Sequence, residues 1–268
     1  MLIIFGALKI ELLPLLKSIH INNICKTGKT IIYEGFRNSR PITIIQTGMG
    51  ANNAKRAAEF FKDNYSEYVM NNGSRPGNNT EVLMIGFCGA ADRKIKAGDT
   101  VVYSLIKNID YSDEKGFLLN GTLELNREKI LDSLLSDGFI DVAGATVYKV
   151  VTDPIVKKKI NSDFDVQAID MESYWIGKSI RSMDLPLTSI RIVSDGAEDI
   201  LPSYYGSANG IKITFNIILS FLRSIFHRKE FIANLNAFRN LRKANLRLAE
   251  VSTELLASFK TGNSDKTL

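Results

Sequence analysis

The sequence predicts an α/β fold, a single domain of three layers with helices covering both faces of a central sheet. Three observations carry this. Short runs rich in β-branched residues recur along the chain, helical patterns separate several of them, and nothing between residues 1 and 205 has the composition of an interdomain linker. Alternation of this kind builds crossover units, and therefore a mostly parallel sheet.

Each element has its own reason. Leu2–Phe5 is an aliphatic run, and Ile10–Ile19 after it has helical spacing. The opening MLIIFGALKIELLPLL has no basic leader, and Lys9 and Glu11 interrupt it, so it reads as strand into helix rather than a signal peptide. Thr30–Tyr33 and Ile42–Gln46 read as strands, Asn53–Lys62 as a helix, and residues 70–81 (MNNGSRPGNNTE) as a turn-rich loop. Strands follow at Val82–Ile85, Thr100–Ser104, Ala145–Val151, Val166–Ile169 and Leu187–Val193, with helices at Arg127–Leu135, Pro154–Ile160 and Glu172–Met183. Beyond residue 208 the chain changes character. Residues 210–226 form an apolar helix candidate, and a basic helical stretch with Arg228, Lys229, Arg239, Arg242, Lys243 and Arg247 succeeds it. The expected division is a catalytic unit over 1–208, a helical extension packed on it over 209–260, and a disordered tail over 261–268.

Bulk properties narrow the function. An apolar fraction of 45% and a charged fraction of 24% suit a globular protein with a sizeable core. The net charge of +5 is mild, and aromatic residues are thinly spread among the cations, so nucleic acid is not an expected partner. Cys25 and Cys88 lie far apart in no metal-ligand spacing, which points to free thiols in a reducing cytoplasm and to no metal. Neither His20 nor His227 accompanies a nucleophile, so neither a Cys–His nor a Ser–His mechanism is expected. No cofactor is implied.

In a crossover sheet, ligands gather beyond the carboxyl ends of the strands. Five such ends carry chemistry: Glu11 after the first strand, QTGMGANN (46–53), IGFCGAAD (85–92), IDMES (169–173) and SDGAED (194–199). Taken singly, each residue has a dull explanation. Glu11 is then a solvated helical acid, Glu172 a helix cap, and Asp195 a turn or cap residue. Gly48, Gly86 and Gly89 either let backbone approach a ligand or permit turns, and GMG matches neither the dinucleotide nor the P-loop spacing. Three acids predicted at one edge of one sheet shift the balance toward a site.

The order GALKIE, QTGMG, IGFCGAA, AIDMES and RIVSDGAED resembles the nucleoside phosphorylase/nucleosidase superfamily, above all its methylthioadenosine/S-adenosylhomocysteine nucleosidase branch. The resemblance spans about residues 1–205. It implies an α/β fold around a mixed, partly barrel-like sheet, a homodimer, and cleavage of a purine N-glycosidic bond. By motif, Glu11 matches the acid that activates water, Met171 the methionine under the ribose, Glu172 the acid that binds the ribose hydroxyls, and Asp195 the acid beside purine N7. Gly48, Gly86, Phe87, Cys88, Gly89 and Ser194 fall on the substrate-binding blocks. Asp170 replaces a usual Glu, with a structural role.

The chemistry asks for these residue types. Rupture of C1′–N9 builds oxocarbenium character on the sugar and negative charge on the purine, so an acid is needed at the base and a carboxylate at the sugar. Met84 stands where the phosphorylases carry Arg, and the early Asp-Pro-Arg element is missing, which favours water over phosphate unless Arg37, Arg40 or Arg56 supplies the cation. VVTDPIVKKKI, DMES and RIVSDGAEDILP are closer to the hopanoid-associated branch, which removes adenine from adenosylhopane. Phe87 replaces a usual Ser, and with Tyr204 and Tyr205 it is a candidate wall for the 5′ side. The tail then has two readings, a core helix followed by a solvated one, or peripheral docking on the inner face of a membrane. A catalytically silent nucleoside-binding protein is the alternative outside enzymology.

Overall fold

The structure, a computed structural model, describes residues 1–71, 80–112, 116–125, 138–201 and 228–258. The expected helix 127–135, the apolar segment 210–226, Tyr204, Tyr205, the tail 261–268 and most of the loop at 70–81 lie outside these residues. The described chain runs β1 (Leu2–Gly6), α1 (Lys9–Leu16), β2 (His20–Thr27), β3 (Thr30–Arg37), β4 (Arg40–Gln46), α2 (Ala51–Asn71), β5 (Glu81–Ala90), β6 (Thr100–Ser112), β7 (Gly116–Glu124), β8 (Phe139–Val147), α3 (Pro154–Phe164), β9 (Ala168–Asp170), α4 (Ser173–Arg181), β10 (Leu187–Asp195) and α5 (Arg228–Ser258).

The ten strands form one mixed sheet in the order β10-β6-β8-β9-β5-β1-β4-β3-β2, with β7 on β6 and a further β10–β5 pairing. That last pairing closes β5, β10, β6, β8 and β9 into a ring, and β1 to β4 extend from it as a wing. The sheet is mixed, as the resemblance implies, rather than mostly parallel as strand–helix alternation alone suggests. β1–β4, β1–β5, β5–β10, β6–β8 and β8–β9 are parallel, but β2–β3, β3–β4, β6–β7, β6–β10 and β5–β9 are antiparallel. Hairpins cause most of the difference. At the first, Gly28 with φ +60° and Lys29 join Thr27 to its partner Thr30, the left-handed turn suited to a two-residue loop.

Strand β5 positions the site. Its first half is flanked by β1, with Phe5 opposite Met84, and its whole length by β10, from Leu187 opposite Val82 to Asp195 opposite Gly89. β1 ends at Gly6, and β5 continues past it to pair Gly89 and Ala90 with Ile169 and Ala168 of β9. The carboxyl ends of β1, β5 and β10 therefore open beside β9 at one edge.

Both faces of the sheet are covered. On one, Ala54, Ala57, Ala58 and Phe61 of α2 and Ile176 and Ile180 of α4 pack over β1, β5 and β10. On the other lie Leu12, Leu15 and Leu16 of α1 with Ala244, Leu248, Val251, Leu255 and Leu256 of α5. The α5 residues follow the i, i+4, i+7 spacing of a helix stripe, and burying that stripe against the sheet holds the helix in place. Its cations face outward, with Arg242 and Lys243 exposed and Arg247 paired to Glu250 at 3.1 Å. Among the described residues no helix is long and apolar enough to cross a membrane.

Candidate functional site

Glu11 comes from the first turn of α1, which follows β1 after a two-residue link. Leu8, the residue at the helix N-cap, has no side-chain acceptor to offer the exposed N–H groups there. The Glu11 side chain turns back to do so: Oε2 accepts from Ala7 N at 2.9 Å and Leu8 N at 2.7 Å. Its Oε1 accepts from Phe87 N on β5 at 2.9 Å. Glu11 is only 4% exposed, so it is not the solvated acid its position alone suggests. Burial raises its pKa, and hydrogen bonds from Phe87 and Leu8 and the charge of Arg191 work against that rise. Oε2 is saturated by two donors, whereas Oε1 keeps a lone pair.

Glu172 sits at the N-cap of α4, yet its side chain makes no capping bond. Asp170 does that work instead. Its Oδ1 accepts from Glu172 N at 3.3 Å, Ser173 N at 3.2 Å and Thr146 Oγ1 at 2.8 Å, and its Oδ2 accepts from Ser173 Oγ. Glu172 is thereby released for another partner. Its Oε1 accepts from Gly50 N at 2.7 Å, far away in sequence, and among the described residues no protein donor reaches Oε2. Burial raises its pKa to about 7, with the charges of Asp170 and Glu11 adding to the effect and Arg191 opposing it. Glu172 thus feels the charge of Glu11 across the same site.

The turn that presents Gly50 depends on backbone only glycine adopts freely. Gly48 has φ +82° and Gly50 φ +92°. A Cβ on Gly50 would stand 3.6 Å from Met171 Cε, which places the half-buried Met171 over this turn. A close approach also governs β5. A Cβ on Gly86 would lie 2.6 Å from Arg191 Nη1 and 2.8 Å from Glu11 Oε1, and one on Gly89 2.8 Å from Asp195 Oδ2. Glycine at these two positions makes room for the charged groups.

Asp195, at the end of β10, is 7% exposed. Its Oδ1 accepts from Ser194 Oγ at 2.7 Å, and Ser194 Oγ also lies 3.1 Å from Cys88 O. Its Oδ2 accepts from Lys157 Nζ at 2.5 Å. Asp195 therefore caps no helix. Phe87 contributes its N–H to Glu11 and packs its half-buried ring against the α1–α5 side of the core. Cys88 is different: its side chain lies in the core on the α2 side, and burial pushes the thiol well up. Only its backbone is available to the site.

Two charged residues of the site were not singled out by sequence reasoning. Arg191, 2% exposed, donates to Ser173 Oγ from Nη2 at 2.6 Å and lies 3.2 Å from Asp170 Oδ2 through Nε. It is the cation that offsets Glu11, Asp170 and Glu172. A charge inside the otherwise uncharged strand segment LTSIRIVS was its signal. Lys157 belongs to a run of three lysines on α3, where one is 1% exposed while its neighbours face solvent. Its spacing to Ile160 and Phe164, i+3 and i+7, marks the inward stripe. Of the arginines considered for phosphate, Arg37 is tied to Ser18 O and Arg56 to Asn52 O and Asn53 Oδ1.

Among the described residues no cluster of His, Cys, Asp and Glu could hold a metal ion. What the arrangement offers is acid–base chemistry, with two buried carboxylates of raised pKa on one side and a carboxylate joined to a buried ammonium on the other.

The same architecture occurs in solved structures. Futalosine hydrolase of Helicobacter pylori superposes with a TM-score of 0.68 at 15% identity, covering 96% of this chain and 97% of that one. The 5′-methylthioadenosine/S-adenosylhomocysteine nucleosidase of the same organism gives 0.69 at 15%, with 97% of each chain covered. The corresponding nucleosidase of Neisseria meningitidis gives 0.67 at 16%, with 96% and 98% covered. At such identities the likeness speaks for the fold alone. Among curated proteins compared by sequence, none matches the chain. The family model described as "Phosphorylase superfamily" matches residues 2–205, which takes in β1 through β10 and every acid of the candidate site. By that match the chain belongs to the phosphorylase superfamily.

Proposed function

We propose that this protein is a purine nucleosidase that hydrolyses the N-glycosidic bond of a 5′-modified adenosine and releases adenine. The observation that carries the reading is Glu172. It is a buried carboxylate at a helix N-cap that does no capping and, among the described residues, leaves Oε2 without a protein donor. A vicinal diol supplies the two hydroxyl donors such an oxygen lacks. Glu11 Oε1, with its remaining lone pair, takes a proton from the attacking water, and Asp195 faces the leaving base. Met171 lies where it would pack under the sugar.

Water as the nucleophile is supported by how the cations are placed. Met84, at the position of the phosphorylase Arg, is wholly buried in the core, and Arg191 is held by Asp170 and Ser173. With 5′-methylthioadenosine, the purified protein is expected to release adenine at the same rate with and without phosphate, with the free sugar as the second product. Chromatographic detection of a sugar 1-phosphate would replace hydrolysis by phosphorolysis.

The pH dependence tests Glu172. The ionised form accepts from both hydroxyls, so KM rises as pH is lowered through about 7, and Glu172→Gln removes this dependence. Stability moves the other way. A carboxyl whose folded pKa lies above its unfolded value binds more protons when folded, so its unfavourable contribution grows from pH 4.5 to about 7 and is constant above. Glu172→Gln therefore gains up to about 3 kcal/mol relative to wild type between pH 4.5 and 8, at 1.36 kcal/mol per pH unit across that window. Thermal melts at the two pH values measure it, and an unchanged difference would contradict the assignment.

A further inference from the structure

We propose that Lys157 supplies the proton that the leaving purine takes up, acting through Asp195; this rests on the nucleosidase reading above. Lys157 is nearly inaccessible to solvent, and its ammonium has three acceptors for three protons: Asp195 Oδ2 at 2.5 Å, Gly196 O at 2.8 Å and Asp199 O at 3.5 Å. The two carbonyls come from the loop that continues β10. That loop is itself fixed, since Asp199 Oδ2 accepts from Gly196 N at 2.7 Å and Asn240 Nδ2 at 2.8 Å. An ammonium in this cradle meets one group able to pass a proton onward, Asp195.

Burying a lysine and an aspartate is costly, and a well-packed apolar pair serves stability as well or better. A chemical use explains the pair where stability does not. Both Asp195 oxygens are engaged by protein donors, Oδ1 by Ser194 and Oδ2 by Lys157. An Asp195 that gives a proton to N7 must receive one from a neighbouring donor. The ammonium is in contact to provide it.

The C1′–N9 electron pair passes to the purine, while a proton moves from Lys157 Nζ to Asp195 Oδ2 and from Asp195 to N7. Water forms the new C1′–O bond and gives its proton to Glu11. Adenine departs neutral, Lys157 is left as an amine and Glu11 as an acid, and exchange with solvent restores both. Lys157 is thus a positioning residue that works through Asp195 and does not touch the substrate.

The test compares two leaving groups, one that needs a proton and one that does not. Wild type, Lys157→Arg and Lys157→Met are assayed on 5′-methylthioadenosine and on 4-nitrophenyl β-D-ribofuranoside, whose leaving group is stable as an anion. Arginine keeps the charge but does not release its proton. Both variants are expected to lose about 10²- to 10³-fold in kcat on the nucleoside, the range of a lost general acid, and to retain the nitrophenyl activity. Asp195→Asn shows the same selectivity, and adding Lys157→Met to it costs little more. If Lys157→Arg cleaves the nucleoside as fast as wild type, charge alone suffices and the proposal is overturned. Equal losses on both substrates would overturn it too, leaving Lys157 a structural clamp. If wild type cleaves neither substrate, the nucleosidase reading itself has failed and takes this inference with it.

Discussion

On the proposed nucleosidase reading, Glu11→Gln is expected to lose at least about 10³-fold in kcat/KM for adenine release, because removing a general base and the negative charge beside a developing cation act together. The fold survives. The amide oxygen can take the place of Oε2 and accept from Ala7 N and Leu8 N, but the amide nitrogen then faces Phe87 N–H, a donor left without its acceptor. Such a loss costs about 1–3 kcal/mol. Part of it is recovered, since burial already disfavours the charged form of Glu11. The variant therefore melts close to wild type while being nearly inactive. Adenine release measured alongside a thermal melt checks both halves, and a folded variant retaining a tenth of the activity would remove Glu11 from the role of base.

Arg191→Leu has the largest effect on stability. The guanidinium is the counter-charge to Asp170 within a fully buried group, and removing one partner of such a pair costs about 3–5 kcal/mol. For a chain of this size that lowers Tm by about 10 °C or more. The double variant Arg191→Leu with Asp170→Asn recovers part of the loss, because the uncompensated anion has gone. If the two losses simply add, the pair is not coupled and Arg191 stabilises the fold by packing alone. Activity is not expected to return in the double variant, since Glu11 and Glu172 still lack their common cation.

Much of the site was legible in the residues, and the omissions have physical causes. Strand-end position marked Glu11, Glu172 and Asp195 because ligands collect where parallel strands finish, whatever the neighbours are. It did not reveal their partners. The distant donors to Glu11 and Glu172 are backbone N–H groups of Phe87 and Gly50, which carry no side-chain signature and lie 76 and 122 residues away. Lys157 sat within a run of three alike residues, and only helical phase separates the buried one from the solvated ones. Taken singly, Glu172 has helix capping as its plainest use, whereas Asp170, two residues earlier, performs it. Local sequence contains both acids and cannot rank them.

The elements followed the same logic. Buried strands such as β1 and β10 were legible from their apolar and β-branched residues, which run unbroken through Leu2–Phe5 and are interrupted in β10 by Arg191 and short hydroxyl side chains. β2, HINNICKT, is almost wholly exposed, so no hydrophobic period announced it, and it exists because β3 beside it offers a ladder. β7 likewise needs β6. Each missed hairpin turned a strand antiparallel and made the sheet mixed.

By itself the sequence determined the alternation of elements, the apolar stripes and the side-chain chemistry at each strand end, because these depend on period and residue type over short distances. Tertiary structure alone decided that the sheet closes through β5 and β10, that Asp170 rather than Glu172 caps α4, and that Lys157 meets Asp195. Those outcomes rest on contacts between distant segments, where burial removes water as a competing partner and every charge must find its counterpart inside the protein.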